Sequence, residues 1–114
     1  MTVFAVQYIY DEQARRRDKV RPEHRTFLSA LLDKGSLLAS GPLADDGAPG
    51  ALLIMSAASA AEVGTLLDAD PFNREGLIKA RVVRQWTPVF WFDQRWAPSI
   101  LPSGLPVPLP MTKW

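Results

Sequence analysis

The sequence predicts an α+β fold in which four antiparallel strands carry two helices on one face. Two stretches place apolar residues at helical spacing, and four shorter stretches are apolar and rich in β-branched residues. Their order is strand, helix, strand, strand, helix, strand, which is the split βαβ, or ferredoxin-like, arrangement. With 114 residues, the chain is long enough for one core of this kind.

The first strand is predicted over residues 3–10, where both faces are largely apolar. Residues 11–20 are charged and are interpreted as a connection. The first helix is predicted over residues 22–34. Pro22 suits the first helical position, because its missing N–H would have no partner there. Gly35 suits a left-handed cap at the other end.

The only histidine of the chain, His24, falls in the first turn of this predicted helix. It shares a face with Phe27 or Leu28 and with Leu31, so it points toward the core. A lone histidine on an apolar face is usually a structural residue with one hydrogen bond. Its side chain also titrates near neutral pH, which makes it a candidate for proton transfer.

The second strand is predicted over residues 37–44 and the third over residues 51–57. Residues 45–50 are rich in Asp, Gly and Pro, which predicts a hairpin between the two strands. A bend is expected near the end of the second strand, at Ser40, Gly41 and Pro42.

Ser59 and Glu62 form a capping box at the start of the second helix. Pro71 disfavours the helical conformation at Asp70 and is expected to end the helix there. The fourth strand is predicted over residues 77–87. Two helices can cover only one face of four strands, although the strands are apolar on both faces. The uncovered face therefore predicts a homodimer packed sheet to sheet, with the C-terminal region as the alternative cover.

Composition excludes several classes of function. The net charge of +1 offers little affinity for nucleic acid or an anionic membrane. No cysteine is present, which excludes disulfides and thiolate chemistry, and a single histidine argues against a zinc site. No signal peptide or membrane-length apolar run is visible, so a cytoplasmic protein is expected.

Residues 88–114 differ from the first 87 in being rich in proline and tryptophan. We interpret residues 1–87 as the folded domain and residues 88–114 as a C-terminal extension. Disordered tails are usually poor in aromatic residues. The extension is therefore expected to pack on a dimer partner or over the cleft of its own chain.

The predicted topology brings three features to one edge of the sheet: His24, the bend at Gly41 and Pro42, and Asp70. His24 and Asp70 both lie on core-facing sides of their helices, so we expect them to approach each other. A carboxylate beside an imidazole fixes its tautomer and stabilises its charged form, which suits acid–base chemistry. The alternative is that Asp70 only satisfies His24 or caps a turn.

Three motifs follow one another along the chain: Arg21-Pro22-Glu23-His24, then Gly35 with Leu37-Leu38-Ala39-Ser40-Gly41-Pro42-Leu43, then Ala69-Asp70-Pro71-Phe72 with Gly76-Leu77. In this order they are similar to the motifs of the YciI-like, or YCII-related, family. The resemblance covers about residues 3–87.

This resemblance implies a dimeric α+β barrel in which two ferredoxin-like sheets face each other. It also implies a cleft built around His24 and Asp70, with Gly41 and Pro42 lining it and Phe72 as an aromatic wall. Related barrels include muconolactone isomerases and dehydrochlorinases, which transfer protons without a cofactor. Family relatives typically end near the fourth strand, so the extension is a departure from the pattern.

Two functions follow as hypotheses. The first is a cofactor-independent isomerase or lyase acting on a small, cyclic organic molecule, with His24 and Asp70 as its catalytic pair. Its expected substrate contacts are Tyr8, Arg21, Ser40, Gly41, Pro42 and Phe72, and no metal is expected. The second is a non-catalytic module that binds a metabolite, or a dimeric scaffold whose extension contacts a partner.

Overall fold

A computed structural model of the protein describes residues 1–90. Four strands form one antiparallel sheet in the order β2-β3-β1-β4, with the helices on one face. This architecture confirms the predicted α+β, ferredoxin-like class. Residues 91–114, most of the predicted extension, lie outside the described residues. The elements are β1 (Thr2–Tyr10), α1 (Ala14–Asp33), β2 (Leu37–Pro42), β3 (Gly50–Ala57), α2 (Ala60–Asp68), α3 (Pro71–Arg74) and β4 (Ile78–Gln85).

The first helix begins eight residues before its predicted start, at Ala14 instead of Pro22. The charged stretch that was interpreted as a connection is helical, because arginine and lysine are good helix formers. Pro22 therefore lies inside α1, where it offers no N–H to the carbonyl of Asp18. His24 consequently lies in the middle of the helix and not in its first turn.

The other predicted helix ends and caps agree better with the structure. Gly35 has a φ of 81°, the left-handed conformation expected after α1. Ser59 accepts a hydrogen bond from the backbone N–H of Glu62 at 3.1 Å, as a capping box requires. However, α2 ends at Asp68, and a further short helix, α3, begins at Pro71.

The sheet separates its side chains into a covered face and an open face. In β1, Phe4, Val6 and Tyr8 are buried beneath the helices, and the intervening residues point the other way. The open face is mostly apolar and includes Val3, Ala5, Gln7 and Ile9 of β1, Ala39 and Gly41 of β2, Leu52, Ile54 and Ser56 of β3, and Ala80, Val82 and Arg84 of β4. Among residues 1–90, no helix is both long and apolar enough to cross a membrane.

Two irregularities shape the end of the sheet that carries the polar residues. A Cβ on Gly50 would lie 2.2 Å from the carbonyl oxygen of Tyr8, so only glycine allows β3 to approach β1 this closely. The pairing of β1 with β4 also shifts between Ile9 and Tyr10. Such bulges re-aim side chains, and here Tyr10 packs against the core together with Ile78.

Candidate active site

The connection between α2 and α3 places Asp70 at the centre of the site. Pro71 occupies the first turn of α3 and holds the preceding residue in an extended conformation, with φ −59° and ψ 128° at Asp70. The Asp70 side chain therefore turns back onto the helix start, where Oδ1 accepts a hydrogen bond from the backbone N–H of Phe72 at 2.9 Å. Asp70 is fully buried.

Both oxygens of the Asp70 carboxylate have side-chain partners. The Nδ1 atom of His24 lies 2.8 Å from Oδ1, and the hydroxyl of Tyr8 donates to Oδ2 at 2.8 Å. Burying a carboxylate is costly unless it is hydrogen-bonded, and here three donors satisfy it. Because the carboxylate can only accept, the proton of a neutral His24 ring is held on Nδ1.

Aromatic contacts fix the plane of the histidine ring. The rings of His24 and Phe72 are stacked, with centroids 3.9 Å apart and planes only 3° from parallel. Tyr10 meets Phe72 edge-on at a centroid distance of 5.7 Å. Phe72 thus forms an aromatic wall beside His24, although its own ring is buried.

The remaining ring nitrogen of His24, Nε2, is the atom available for chemistry. It forms no hydrogen bond within residues 1–90, and the side chain keeps about 10% of its surface exposed. An imidazole with a carboxylate on Nδ1 and an unbonded Nε2 has the arrangement of a general base. The geometry therefore gives His24 one fixed nitrogen and one reactive nitrogen.

The tyrosines of the site stay protonated at neutral pH. Burial, followed by the nearby Asp70 charge and the hydrogen bond to it, raises the pKa of Tyr8 far above its usual range. Burial and then the Asp70 charge raise the pKa of Tyr10 to about 12. Tyr8 is fully buried and its hydroxyl is committed to Asp70. It holds the carboxylate in place, which differs from the substrate contact predicted for it.

Arg17 belongs to this region, and the sequence reasoning missed it. Its guanidinium is buried, donates to the carbonyl oxygen of Asp11 at 2.7 Å and lies 4.8 Å from the centre of the Tyr10 ring. Arg17 precedes His24 by seven residues, which is one face of a helix. This spacing would have revealed Arg17 if the predicted helix had started earlier.

The other predicted contacts lie farther out. Arg21 is partly exposed and pairs with Asp18 one turn earlier on α1. Ser40, Gly41 and Pro42 are exposed near the end of β2. Within residues 1–90, their backbone pairs with β3. The structure therefore assembles Tyr8, His24, Asp70 and Phe72, but it shows no hydrogen bond from these β2 residues to the His24–Asp70 pair.

Two further features bear on what the site can hold. In the part of the chain that the structure describes, no group of three or more His, Cys, Asp or Glu side chains is arranged as a metal site. An open groove of about 450 Å³ runs between α1 and α3, lined by residues such as Phe27, Ala69 and Pro71. The groove also includes Glu23, the residue before His24, and Ala69 and Pro71 flank Asp70, but neither member of the pair lines the groove.

Comparison with known proteins identifies solved structures with a similar fold. The structure is similar to 5-chloro-2-hydroxyhydroquinone dehydrochlorinase (TftG) from Burkholderia phenoliruptrix AC1100, solved in complex with 2,5-dihydroxybenzoquinone. The two chains are 26% identical with a TM-score of 0.66, and the match covers 75% of this chain and 94% of that one.

An antibiotic biosynthesis monooxygenase shares the fold at 16% identity and a TM-score of 0.51, over 79% of this chain and 100% of that chain. A search among curated proteins finds no match. The family model of the YCII-related domain matches residues 1–87, which agrees with the resemblance seen in the sequence motifs. The chain therefore belongs to the YCII-related domain family.

Proposed function

We propose that the protein is a small, cofactor-independent enzyme that transfers protons on a small cyclic organic molecule, leading to elimination or isomerisation. His24 is the general acid–base, and Asp70 holds its ring in the reactive orientation. One observation carries this proposal. A fully buried carboxylate binds Nδ1 of His24 at 2.8 Å and leaves Nε2 without a hydrogen bond within residues 1–90.

The proposed step begins when Nε2 of His24 takes a proton from a carbon beside a carbonyl, or from an enol oxygen. The electron pair left behind forms an oxyanion, on the carbonyl oxygen in the first case and on the former enol oxygen in the second. If the imidazolium returns the proton to another carbon while the C=O bond re-forms, the net reaction is an isomerisation. If the C=O bond instead re-forms while a leaving group such as chloride departs with its bonding electrons, and His24 then releases the proton to solvent, the net reaction is an elimination of HCl. Asp70 stabilises the imidazolium in both cases.

The similar dehydrochlorinase supports this reaction class. That protein acts on a chlorinated hydroxyhydroquinone and was solved with a dihydroxybenzoquinone. Aromatic side chains also surround the pair here, with Phe72 stacked on His24 and Tyr10 edge-on to Phe72. Aromatic surroundings of this kind suit a cyclic organic substrate.

The direct test measures turnover of chlorinated hydroxyhydroquinones by the wild type and by His24→Gln, with released chloride as the readout. General acid–base catalysis contributes about 10²–10⁴-fold, so we expect a loss of turnover of that size. Chloride release that is unchanged in His24→Gln, or absent from the wild type with every such substrate, would contradict the proposal.

A spectroscopic test separates the role of Asp70 from general damage. Nitrogen-15 NMR of the single histidine should show the proton on Nδ1 in the wild type. Asp70→Asn should move that proton toward Nε2, because an amide can donate to Nδ1. Asp68→Asn is the matched control, since Asp68 is exposed and pairs with Arg81 instead. An unchanged tautomer in Asp70→Asn would remove Asp70 from the mechanism.

We also propose that two copies of the chain pair through their open sheet faces. Leu52 and Val82 on this face are each about 40% exposed in the single chain, and an apolar surface of this kind usually marks an interface. Light scattering should give a dimer for the wild type and a monomer for Leu52→Asp and for Val82→Lys. Leu32→Asp, on the exposed side of α1, should stay dimeric. A wild-type monomer would refute this pairing.

A further inference from the structure

The inner face of α1 carries an unusual set of side chains in its first half. Arg17, Arg21 and His24 lie at i, i+4 and i+7, so all three face the same side of the helix. Farther along, the same face continues with Leu28 and Leu31, which pack in the core. The change from apolar to cationic residues occurs where α1 passes the His24–Asp70 pair.

The two arginines differ in how firmly their charges are held. Arg17 is 4% exposed and is fixed by the carbonyl of Asp11 and the ring of Tyr10. The side chain of Arg21 is 39% exposed, and its only charged partner within residues 1–90, Asp18, is 65% exposed. A solvent-exposed ion pair contributes little free energy, so a bound anion can replace Asp18 at the Arg21 guanidinium.

Helical geometry also places Arg21 on a particular flank of the histidine. Phe27 lies on the flank of α1 that faces α3, since it lines the groove between these helices. Arg21 lies on the opposite flank, one turn before His24. Side chains three residues apart have Cβ atoms about 5–6 Å apart, so the long Arg21 side chain can reach a ligand that sits at Nε2.

We propose that Arg21 binds an acidic oxygen of the substrate, so that this site selects small cyclic enols or phenols in their oxyanion form. This inference rests on the proposed function of the His24–Asp70 pair. When Nε2 takes the proton, the electron pair stays on the substrate as an oxyanion. Because the imidazolium of His24 and the carboxylate of Asp70 offset each other, the oxyanion leaves the site with one net negative charge, and a further cation nearby stabilises it. Arg21 supplies that cation without a change in the fold.

Binding of a matched pair of ligands tests this selection. One is 2,5-dihydroxybenzoquinone, which has acidic hydroxyl groups, and the other is 2,5-dimethoxybenzoquinone, which has the same ring without an acidic proton. Calorimetry should show tighter binding of the dihydroxy compound to the wild type. Arg21→Gln should weaken that binding by about tenfold or more, as expected for a lost charge-assisted hydrogen bond, and leave the dimethoxy compound unchanged.

Arg25→Gln is the matched control, because Arg25 lies on the exposed side of the same helix and its loss changes the net charge equally. It should leave both affinities unchanged. Equal binding of the two ligands by the wild type, no binding of the dihydroxy compound, or an equal effect of both substitutions would overturn the inference. These outcomes leave the His24→Gln turnover test unaffected, so failure of the inference is distinguishable from failure of the proposed function.

Discussion

The layer between the sheet and the helices has two ends with different chemistry. Strands β1 and β2 both pair antiparallel with β3, so they run in the same direction and α1 returns between them. Residues near the start of β1 therefore lie with the end of α1. The apolar end contains Phe4, Leu31, Leu37 and Met55, whereas the polar end contains Tyr8, Tyr10, Arg17, His24 and Asp70.

The two ends are stabilised by different forces. Apolar burial is non-directional and scales with area, so the apolar end contributes stability without fixing any group precisely in angle. At the polar end each buried group must meet a partner, because an unpaired one is costly. Arg17 donates to Asp11, and both Tyr8 and His24 bond to Asp70. The hydrogen bonds of the polar end thus fix the geometry of His24, and they also make this end less tolerant of substitution.

The largest effect on stability is expected at the apolar end. Met55 is fully buried opposite Phe4, so Met55→Ala should leave a cavity and lower the free energy of unfolding by about 2–5 kcal/mol. Denaturant unfolding at a fixed protein concentration measures this change. The histidine NMR signal of the molecules that remain folded should be unchanged, and a shifted tautomer would show that the two ends are not independent.

An intermediate effect is expected for Tyr8→Phe at the polar end. The substitution keeps the ring but removes the donor to Oδ2 of Asp70, and it should cost about 1–3 kcal/mol of stability. Unlike Met55→Ala, it should also alter the His24 signal, because Asp70 loses one of its three donors.

Tyr10→Phe is the control for this substitution, since the Tyr10 hydroxyl forms no hydrogen bond within residues 1–90 and only its ring contacts Phe72 and Arg17. Its effect on unfolding should stay within about 0.5 kcal/mol. If both variants lose the same free energy of unfolding, the hydrogen bond from Tyr8 to Asp70 does not contribute to stability.

The same contrast explains what the sequence could predict. The order of elements was enough to bring His24 and Asp70 to one edge, because that convergence depends on topology alone. The predicted convergence of His24 and Asp70 was correct even though the start of the first helix was predicted wrongly. Extending α1 backwards from Pro22 leaves His24 on the same face, although it moves the residue from the first turn to the middle of the helix.

Details that depend on side-chain partners were beyond the sequence pattern. Alternation along β1 places Tyr8 on the same face as Phe4 and Val6, but it does not show that the Tyr8 hydroxyl donates to Asp70. The stacking of Phe72 on His24 depends on the short helix α3, which the sequence pattern does not predict after the expected helix end at Asp70. Arg17 was overlooked because it was assigned to a connection, where a charged residue is expected to be solvated.

The smallest effect concerns pH, and it is absent near neutrality. The folded protein raises the pKa of both its tyrosines, Tyr8 most strongly through burial and Asp70, and Tyr10 to about 12. An unfolded tyrosine titrates near pH 10. Above that pH the unfolded chain loses protons that the folded chain retains, so stability that is fully present below about pH 10 falls as the pH rises toward about 12.

Tyrosinate absorbance and the denaturation midpoint, followed together, should show ionisation delayed until unfolding begins. In a variant with both tyrosines replaced by phenylalanine, the denaturation midpoint should fall less steeply over this pH range. If tyrosinate instead forms near pH 10 in the folded protein, the polar end is open to water.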